Sequence, residues 1–564
     1  MRTNRIGRML AFCFALLIAV SAVQCSVVSA SAAALPGDTW TEGSITATLD
    51  TKEQEAEKVT VNAYKLVSVH TAQLDGTNPA VFQPSMPEYT WESGIAGWVR
   101  TYYPDYIGAA ADGGNPADDS VQEVFSTGNE DSSKDISAAV AANFYAEIEA
   151  GIMGGAETIQ LSPVSLTVSG KTASVSGLTM GVYLVTATGG TAVYRPTVAM
   201  ITPEKSNGSW TIAENAQVVL KSSPVSLKKT ITAVNAASDN VVSGDGERAV
   251  AGIGDTVSYK LEVDVPEYPS QSVSRAFIIQ DTLPEGLTLT QGTIKVKMSD
   301  GTELQNLSDR IRVEGQVLTI DLTPDADKTI QNPIDGKRKL LVTYDAKLNA
   351  KATLGEAGNV STASLTYSNN PYDEASAKIV DDIATVYTFG IEVTKVQKGT
   401  TNPLSGAQFE LKDAGSIPIK FSDGYVKNAD GAATPTTGTD GKLTLKGLAP
   451  GTYKLKETKA PAGYVLSAAE TEITIADTNF NGIPDSKEQP TTDTTTTDTT
   501  TTQTTEKDKD NGLVSITVEN TKGFTLPRTG GIGTVLFSMI GIVLMGSGVL
   551  LVAVFLRKRF GKSR

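Results

Sequence analysis

Apolar and polar residues alternate along most of the chain, which is the pattern of half-buried β-strands. The segments 257–263 and 340–344 are clear examples, and residues that favour turns (Gly, Asn, Asp and Pro) separate such runs. One segment, 133–152, instead has apolar residues at every fourth position, which is typical of an amphipathic helix. The pattern therefore predicts an all-β protein with one helical insertion.

Two segments, 224–231 and 389–395, have the pattern of first strands that open new sandwiches. They predict three tandem immunoglobulin-like β-sandwich domains, the first of which carries the helical insertion. The predicted domain boundaries are 33–222, 223–388 and 389–523. Residues 489–509 of the third domain are so rich in threonine that we expect a flexible loop, and glycosylation of this loop is left open.

Three strands of the predicted third domain end their inward-facing rows with a polar residue. These residues are Lys395, Glu457 and Asn520. The second domain repeats the arrangement with Lys229, Asp281 and Asn359, although Lys228 is an alternative to Lys229.

Such groups have a chemical use inside an apolar core. Burial of an unpaired lysine or carboxylate costs several kcal/mol, and burial favours the neutral amine and the protonated acid. A neutral lysine can attack the amide carbon of asparagine while the acid, Glu457 or Asp281, polarises the carbonyl and carries protons. Ammonia leaves, and an intramolecular Lys–Asn isopeptide bond remains.

Both ends of the chain have the composition of processing segments. Residues 1–32 combine three arginines, an apolar region and small residues, as in a secretory signal peptide. Residues 531–556 form an uncharged stretch long enough to cross a bilayer, and the basic residues of 557–564 predict a cytoplasmic tail. Both cysteines lie in the signal segment, so the exported chain has no disulfide bonds.

Removal of the two ends makes the chain strongly acidic. The full sequence has 48 basic and 63 acidic residues, and the two ends carry eight of the basic ones. The remaining 40 basic residues against 63 acidic ones give a net charge near −23. This charge argues against nucleic acid as a partner.

Several motifs resemble the backbone pilins that sortases assemble on Gram-positive cells. Leu526-Pro527-Arg528-Thr529-Gly530 matches the LPXTG sorting signal of wall proteins. Residues 453–464 resemble the E box of pilins, in a domain similar to the B-type (Cna-B) repeat of a collagen adhesin. Residues 279–287, 358–359 and 367–371 resemble the middle domain of backbone pilins.

The resemblance implies a route to the cell surface. A sortase cleaves between Thr529 and Gly530, within the signal that begins with Leu526 and Pro527, and passes the threonyl carbonyl to an amine. The implied partners are a class C pilin sortase, a housekeeping sortase, peptidoglycan, minor pilins and other copies of the chain. The implied location is the cell wall, in a pilus on the surface. An ordinary single-span membrane protein would explain the apolar stretch and the basic tail but not the pentapeptide.

Polymerisation of backbone pilins also requires a lysine near the end of the first domain. The resemblance puts Lys221 in this role, after Trp210 and Val218-Val219-Leu220, although Leu220 replaces the Tyr-Pro pair of the family pattern. Two alternatives stay open: Lys221 is a solvated residue at a strand end, or Lys205 is the reacting lysine.

A loop near the Thr-rich segment fits the pattern of a calcium-binding loop. Its potential ligands are Asp477, Asn479, Asn481, the Ile483 carbonyl, Asp485 and Glu488. The pattern lacks flanking helices, so an ordinary Asn/Gly turn is the alternative. No other cofactor is required.

The sequence predicts a structural protein and not an enzyme, since it contains none of the catalytic motifs of nucleophile elbows or phosphate-binding loops. The favoured function is the shaft subunit of a covalent pilus that supports adhesion. The alternative is a monomeric wall-anchored adhesin for a host matrix protein or glycan. The first domain has no acid in the position of Glu457, so we expect no isopeptide bond there.

Overall fold

The computed structural model describes residues 40–70, 88–107, 138–154, 159–206, 209–237, 239–266, 268, 272, 274–304, 307–323, 339–373, 376–426, 434–487, 510–523 and 532–560. The signal segment, the Thr-rich segment and the sorting pentapeptide, residues 526–530, lie outside these ranges.

Strands dominate the described residues, which confirms the all-β class. The helices are α1 (Glu53–Ala56), α2 (Ser93–Tyr102), α3 (Ala138–Met153) and α4 (Ile532–Phe560). The strands up to residue 223 are β1 (Gly43–Leu49), β2 (Val59–His70), β3 (Glu88–Trp91), β4 (Pro163–Ser169), β5 (Thr172–Leu178), β6 (Gly181–Gly189), β7 (Val193–Tyr194), β8 (Thr197–Ile201), β9 (Pro203–Ser206), β10 (Ser209–Ile212), β11 (Asn215–Leu220) and β12 (Ser222–Ser223).

The strands that follow are β13 (Leu227–Val234), β14 (Arg248–Val250), β15 (Thr256–Asp264), β16 (Phe277–Thr282), β17 (Leu287–Met298), β18 (Ile311–Glu314), β19 (Val317–Asp321), β20 (Lys339–Leu348), β21 (Asn359–Ser368) and β22 (Ala377–Tyr387). The last group is β23 (Phe389–Gln397), β24 (Gln408–Lys412), β25 (Pro418–Ile419), β26 (Phe421–Ser422), β27 (Tyr425–Val426), β28 (Lys442–Leu448), β29 (Gly451–Lys459), β30 (Glu470–Ile475) and β31 (Leu513–Asn520).

The chain forms two compact units. One comprises residues up to 249 together with 255–352 and 358–386, and the other comprises 250–254, 353–357 and the residues from 387 onward. The first two predicted domains therefore share one unit. Within it, β1–β12 and β13–β22 form separate sheets, but the three-domain boundaries stay a prediction.

Eight of the strands up to residue 223 form a large sheet with the order β11-β1-β5-β4-β2-β6-β8, to which β3 adds through β2, and β9-β10 and β7-β12 form two small sheets. One apolar core lies within the strands, and a second lies where α2 and α3 pack on them. Phe144 and Ile148, at the predicted helical spacing, are fully buried in this second core. The helix α2 was not predicted, because the sequence indicated a helix only in the segment 133–152.

The strands from 227 to 387 form two facing sheets, one with the order β13-β15-β20-β17 and one with the order β14-β22-β21-β16-β19-β18. The predicted runs 257–263 and 340–344 lie in β15 and β20, where buried and more exposed residues alternate and the buried residues are apolar, as expected.

The second unit also contains two sheets, β26-β27-β28-β23-β31 and β25-β24-β29-β30. Its first strand, β23, pairs in parallel with its last strand, β31. Beyond them, α4 contains the stretch Val535–Arg559, which is long and apolar enough to cross a membrane. The helix agrees with the predicted segment 531–556, and the basic residues 557–559 lie in its last turn.

Candidate functional site

The second unit buries the predicted lysine, acid and amide at one point between its two sheets. Lys395 lies on β23 and Asn520 lies at the end of the neighbouring β31, whereas Glu457 comes from β29 in the opposite sheet. Lys395 is 0% exposed, Asn520 2% and Glu457 3%. Each residue continues the row of inward-facing apolar residues on its strand. Because alternate residues of a strand face the same side, the polar group also lies in the core.

The three side chains contact one another directly. The Lys395 Nζ donates to Asn520 Oδ1 at 2.5 Å and to the Val518 carbonyl at 3.1 Å. The Asn520 Nδ2 donates to both carboxylate oxygens of Glu457, at 2.9 and 3.1 Å. Glu457 Oε1 lies 3.7 Å from Lys395 Nζ, and its Oε2 also accepts the main-chain N–H of Ser467 at 2.8 Å.

This geometry places each group where an amide exchange needs it. Burial lowers the pKa of the Lys395 amine, and this effect is larger than the opposite effect of the neighbouring Glu457. The lowered pKa favours the neutral amine, which is the nucleophilic form. The amide nitrogen that would depart as ammonia faces the carboxyl group, which can give it a proton. The amine, in turn, lies beside the carbonyl oxygen of the amide that it would attack.

The first unit contains a second lysine–acid pair. Lys229 on β13 and Asp281 on β16 face each other from opposite sheets, and both side chains are 0% exposed. The Lys229 Nζ donates to Asp281 Oδ1 at 2.5 Å. Burial is again the main cause that lowers the pKa of the lysine.

Two tyrosines that were not predicted from the sequence adjoin this pair. The Tyr344 hydroxyl donates to Asp281 Oδ2 at 2.6 Å and accepts from Lys229 Nζ at 3.2 Å. Tyr259 stacks on Tyr344 with a centroid distance of 5.1 Å, and the Lys229 Nζ lies 4.9 Å from the Tyr259 ring centre. The signal was present in the sequence, because both tyrosines share the inward phase of their strands.

The structure distinguishes the two adjacent lysines of β13. Lys228 is 44% exposed and pairs with Glu247, so it points away from the core that holds Lys229. The buried residue is therefore Lys229.

Asn359 is also buried, and its amide nitrogen bonds to the main chain. Its Nδ2 donates to the carbonyl of Val386 at 3.0 Å. A Cβ atom added to Gly286 would approach the Asn359 Oδ1 to 2.4 Å, so this amide packs tightly against the glycine. The structure thus brings Lys229 and Asp281 together and shows Asn359 with a main-chain partner.

The corresponding lysine of the first predicted domain has a different environment. The Lys65 Nζ donates to Thr179 Oγ1 at 2.8 Å and lies 3.7 Å from Glu92 Oε1. An acid is therefore close, but it comes from the segment after β3 and not from the strand that corresponds to that of Glu457. Lys65 is 25% exposed and Glu92 29%, so this pair lacks the dry surroundings of the other two.

Lys221 is exposed and lies between β11 and β12. The strand that precedes it pairs in parallel with β1, and β12 pairs with β7. The Lys221 carbonyl accepts the N–H of Arg195 at 3.0 Å, so the main chain is held while the side chain stays accessible. Lys205 lies on β9.

The predicted calcium loop turns its carboxylates toward its own main chain. Asp477 accepts the N–H groups of Asn481 and Gly482, and Asp485 accepts the N–H and hydroxyl of Thr478. Asn481 Oδ1 likewise accepts the N–H of Ile483. Asn479 is among the described residues, and Glu488 lies outside them. This geometry favours the turn alternative, and the calcium site stays a prediction.

Comparison with known proteins agrees with the fold, with the predicted third domain and with the predicted sorting signal. Residues 389–490 match the SpaA family of prealbumin-like fold domains, and residues 518–559 match the LPXTG cell wall anchor motif. A trypsin-resistant surface T6 protein of Streptococcus pyogenes serotype M6 is 27% identical over 390 residues, which cover 58% of this chain and 68% of that protein. The structure of the T6 backbone pilin, described as a modular three-domain structure, has a TM-score of 0.54 at 19% identity and covers 85% of this chain and 99% of its own.

The prealbumin-like domain, the wall anchor and the similarity to the T6 protein define a class of surface structural proteins. The chain is therefore similar to a backbone pilin in its fold, and it carries a cell wall anchor motif. The anchor motif indicates attachment of the chain at the cell wall.

Proposed function

We propose that this pilin forms the shaft of the pilus as a self-cross-linked subunit with two Lys–Asn isopeptide bonds. One bond joins Lys395 to Asn520 with Glu457 as the proton carrier, and the other joins Lys229 to Asn359 with Asp281 in that role. The observation that carries the proposal is the contact of Lys395, Asn520 and Glu457 in a core from which water is excluded.

The reaction balances without a cofactor. The neutral Lys395 amine bonds to the Asn520 amide carbon, and the bond from this carbon to Nδ2 breaks. One proton moves from Nζ through the Glu457 carboxyl to the departing nitrogen, which leaves as ammonia. The carboxyl ends in its starting state, although each site reacts only once.

The second bond rests on the same combination of groups in the first unit. Lys229 and Asp281 are in contact, and the Asn359 amide is buried and donates to the carbonyl of Val386. All three side chains are buried, which supports the same chemistry at this site.

Between subunits, Lys221 would attack the threonyl thioester that a class C sortase forms at Thr529 of another copy. Its exposure and its fixed main chain support this role. A housekeeping sortase would transfer the finished polymer to peptidoglycan, minor pilins would join it, and host matrix or glycan binding would be a property of the assembled fibre.

A substitution at Lys221 tests the shaft function. In the native bacterium we expect Lys221→Arg to abolish the high-mass ladder on denaturing gels, because a guanidinium keeps the charge but is not a nucleophile. Lys205→Arg is the matched control and should leave the ladder intact. A ladder that persists in Lys221→Arg would contradict this assignment. A chain that never polymerises but binds a host ligand saturably as a monomer would favour the adhesin.

A further inference from the structure

We propose that Tyr344 is a further catalytic residue of the bond in the middle domain, where its hydroxyl carries a proton from the Lys229 nitrogen to Asp281. This inference rests on the proposed function, because it assigns a role within the Lys229–Asn359 reaction. The Lys395–Asn520 linkage in the same chain provides an internal comparison for the rate of linkage.

The hydrogen bonds form a closed ring around the reacting nitrogen. Lys229 Nζ donates to Asp281 Oδ1 at 2.5 Å and to the Tyr344 hydroxyl at 3.2 Å. The same hydroxyl donates to Asp281 Oδ2 at 2.6 Å. The nitrogen therefore has two routes to one carboxyl group, a direct route and a route through the tyrosine.

The reaction needs two proton transfers from this nitrogen. An ammonium group carries three protons and the amide product carries one, so one proton must leave before attack and another must leave after it. The first moves directly to Asp281 Oδ1 and is then given to the departing amide nitrogen, which leaves as ammonia. The second moves to the Tyr344 oxygen while the tyrosine gives its own proton to Oδ2, so the hydroxyl is restored in the product and Asp281 ends protonated.

The surroundings of Tyr344 suit a proton relay and not an ionised base. Burial, together with the charge of Asp281, raises the pKa of Tyr344 well above its ordinary value, so a free phenolate is disfavoured. In a relay the hydroxyl accepts and donates in one step and never carries a full negative charge. Stacking against Tyr259 fixes the ring, and thus the hydroxyl, between the lysine and the acid.

In the third domain, the lysine and the acid have different hydrogen-bond partners. Lys395 Nζ contacts the amide oxygen of Asn520 and a main-chain carbonyl, while Glu457 contacts the departing nitrogen. In the middle domain the acid contacts the lysine and the tyrosine instead. Loss of the Tyr344 hydroxyl should therefore affect one bond and spare the other in the same molecule.

The experiment uses the full chain made by cell-free translation with detergent micelles for the membrane segment. At successive times the reaction is stopped, and peptide mapping measures the linked fraction of the Lys229–Asn359 and Lys395–Asn520 pairs. For Tyr344→Phe we expect the first linkage to form about tenfold more slowly or worse, while the second keeps the wild-type rate. Incubation of the variant at higher pH should partly restore the rate, because fewer protons then remain on the amine.

Tyr367→Phe is the matched control, because it removes another buried hydroxyl of the first unit, one that donates to the carbonyl of Thr191 and lies outside the Lys229 site. We expect it to link at the wild-type rate. Wild-type kinetics and an unchanged pH profile in Tyr344→Phe would overturn the relay. A variant whose middle domain is unlinked, protease-sensitive and not rescued by pH would also overturn it, in favour of a purely structural tyrosine. A wild-type chain that lacked the Lys229–Asn359 linkage would contradict the proposed function itself. That outcome differs from a linkage that forms in the wild type and does not depend on Tyr344.

Discussion

At the residue scale, each buried lysine is held by acceptors that only partly compensate for the loss of water. An ammonium ion in such a core costs several kcal/mol, and burial accordingly lowers the pKa of both Lys229 and Lys395. Conversion of the amine to an amide removes the charge permanently. We infer that the unlinked state is a strained precursor, and that relief of this cost helps to drive the reaction.

Glu457→Gln separates the chemistry of the acid from its shape. The variant can still hydrogen-bond with Asn520 but cannot carry protons, so we expect the Lys395–Asn520 linkage to be lost. By the chain-entropy estimate for a loop of this length, unfolding stability should fall by about 5 kcal/mol, with a drop in Tm of the third domain of about 10–20 °C. Differential scanning calorimetry and peptide mapping measure the two effects.

Glu472→Gln on the neighbouring strand is the matched control, since Glu472 is exposed. It should keep both the linkage and the Tm. A fully linked Glu457→Gln protein would show that the carboxyl group has no part in the reaction.

At the element scale, the two proposed bonds differ in the strands that they join. In the second unit, Lys395 and Asn520 lie on the first and last strands, which run side by side in parallel. In the first unit, Asn359 begins β21, and β22 still follows it. The proposed Lys229–Asn359 bond therefore joins the first strand of the middle domain to the strand before its last.

This difference predicts a specific response to force. Lys221→Cys and Lys522→Cys provide two attachment points in a mature chain that otherwise lacks cysteine. Asn359 and Val386, 27 residues apart, pair at the open end of the β21–β22 hairpin, so tension can peel this hairpin apart. We expect one extension of about 90–100 Å and none from the second unit.

Single-molecule stretching measures these lengths. In Glu457→Gln, the 125-residue separation of Lys395 and Asn520 should add a further extension of about 400 Å. An extension of several hundred ångströms in the wild-type chain would be incompatible with two closed bonds.

The helix α3 contributes a titratable contact within the first unit. The Tyr372 hydroxyl donates to Glu149 Oε2 at 2.8 Å, and burial raises the pKa of Glu149 to about 8. Between the unfolded value near 4.5 and this folded value, the folded state holds one more proton than the unfolded state. The free energy of unfolding must therefore fall as pH rises through this window.

We expect the Tm of the first unit to decrease by about 5–10 °C between pH 5 and 9, and Glu149→Gln to flatten this slope. The exposed Glu57 provides the control, and Glu57→Gln should keep the slope. Thermal unfolding followed by circular dichroism at several pH values measures the effect. Parallel curves for Glu149→Gln and the wild type would contradict the assignment.

At the scale of the whole molecule, the proposed attachment points determine which residues carry load. A subunit linked through Lys221 and Thr529 leaves the strands β1–β11 outside the path of tension, because they precede Lys221. The proposed bonds would take most of the remaining chain out of the path of tension as well. We infer that such bonds give mechanical strength to a mature protein that has no disulfide bonds.

The sequence predicted the all-β class, the buried phase of Lys395 and Lys229, and the membrane-length helix, because strand alternation and apolar length are local properties. It missed Tyr344 and Glu92, since contacts between opposite sheets depend on how distant strands face each other. It also missed α2, a ten-residue helix. The partner of the Asn359 amide could not be predicted either, because side-chain rotation depends on packing against Gly286.

The intact mass of the folded ectodomain, residues 33–523, reports on both isopeptide bonds at once. Each bond releases one ammonia, so we expect a mass lower than the sequence mass by two ammonia molecules. Glu457→Gln should show a deficit of one. A wild-type ectodomain at its full sequence mass would show that neither bond forms.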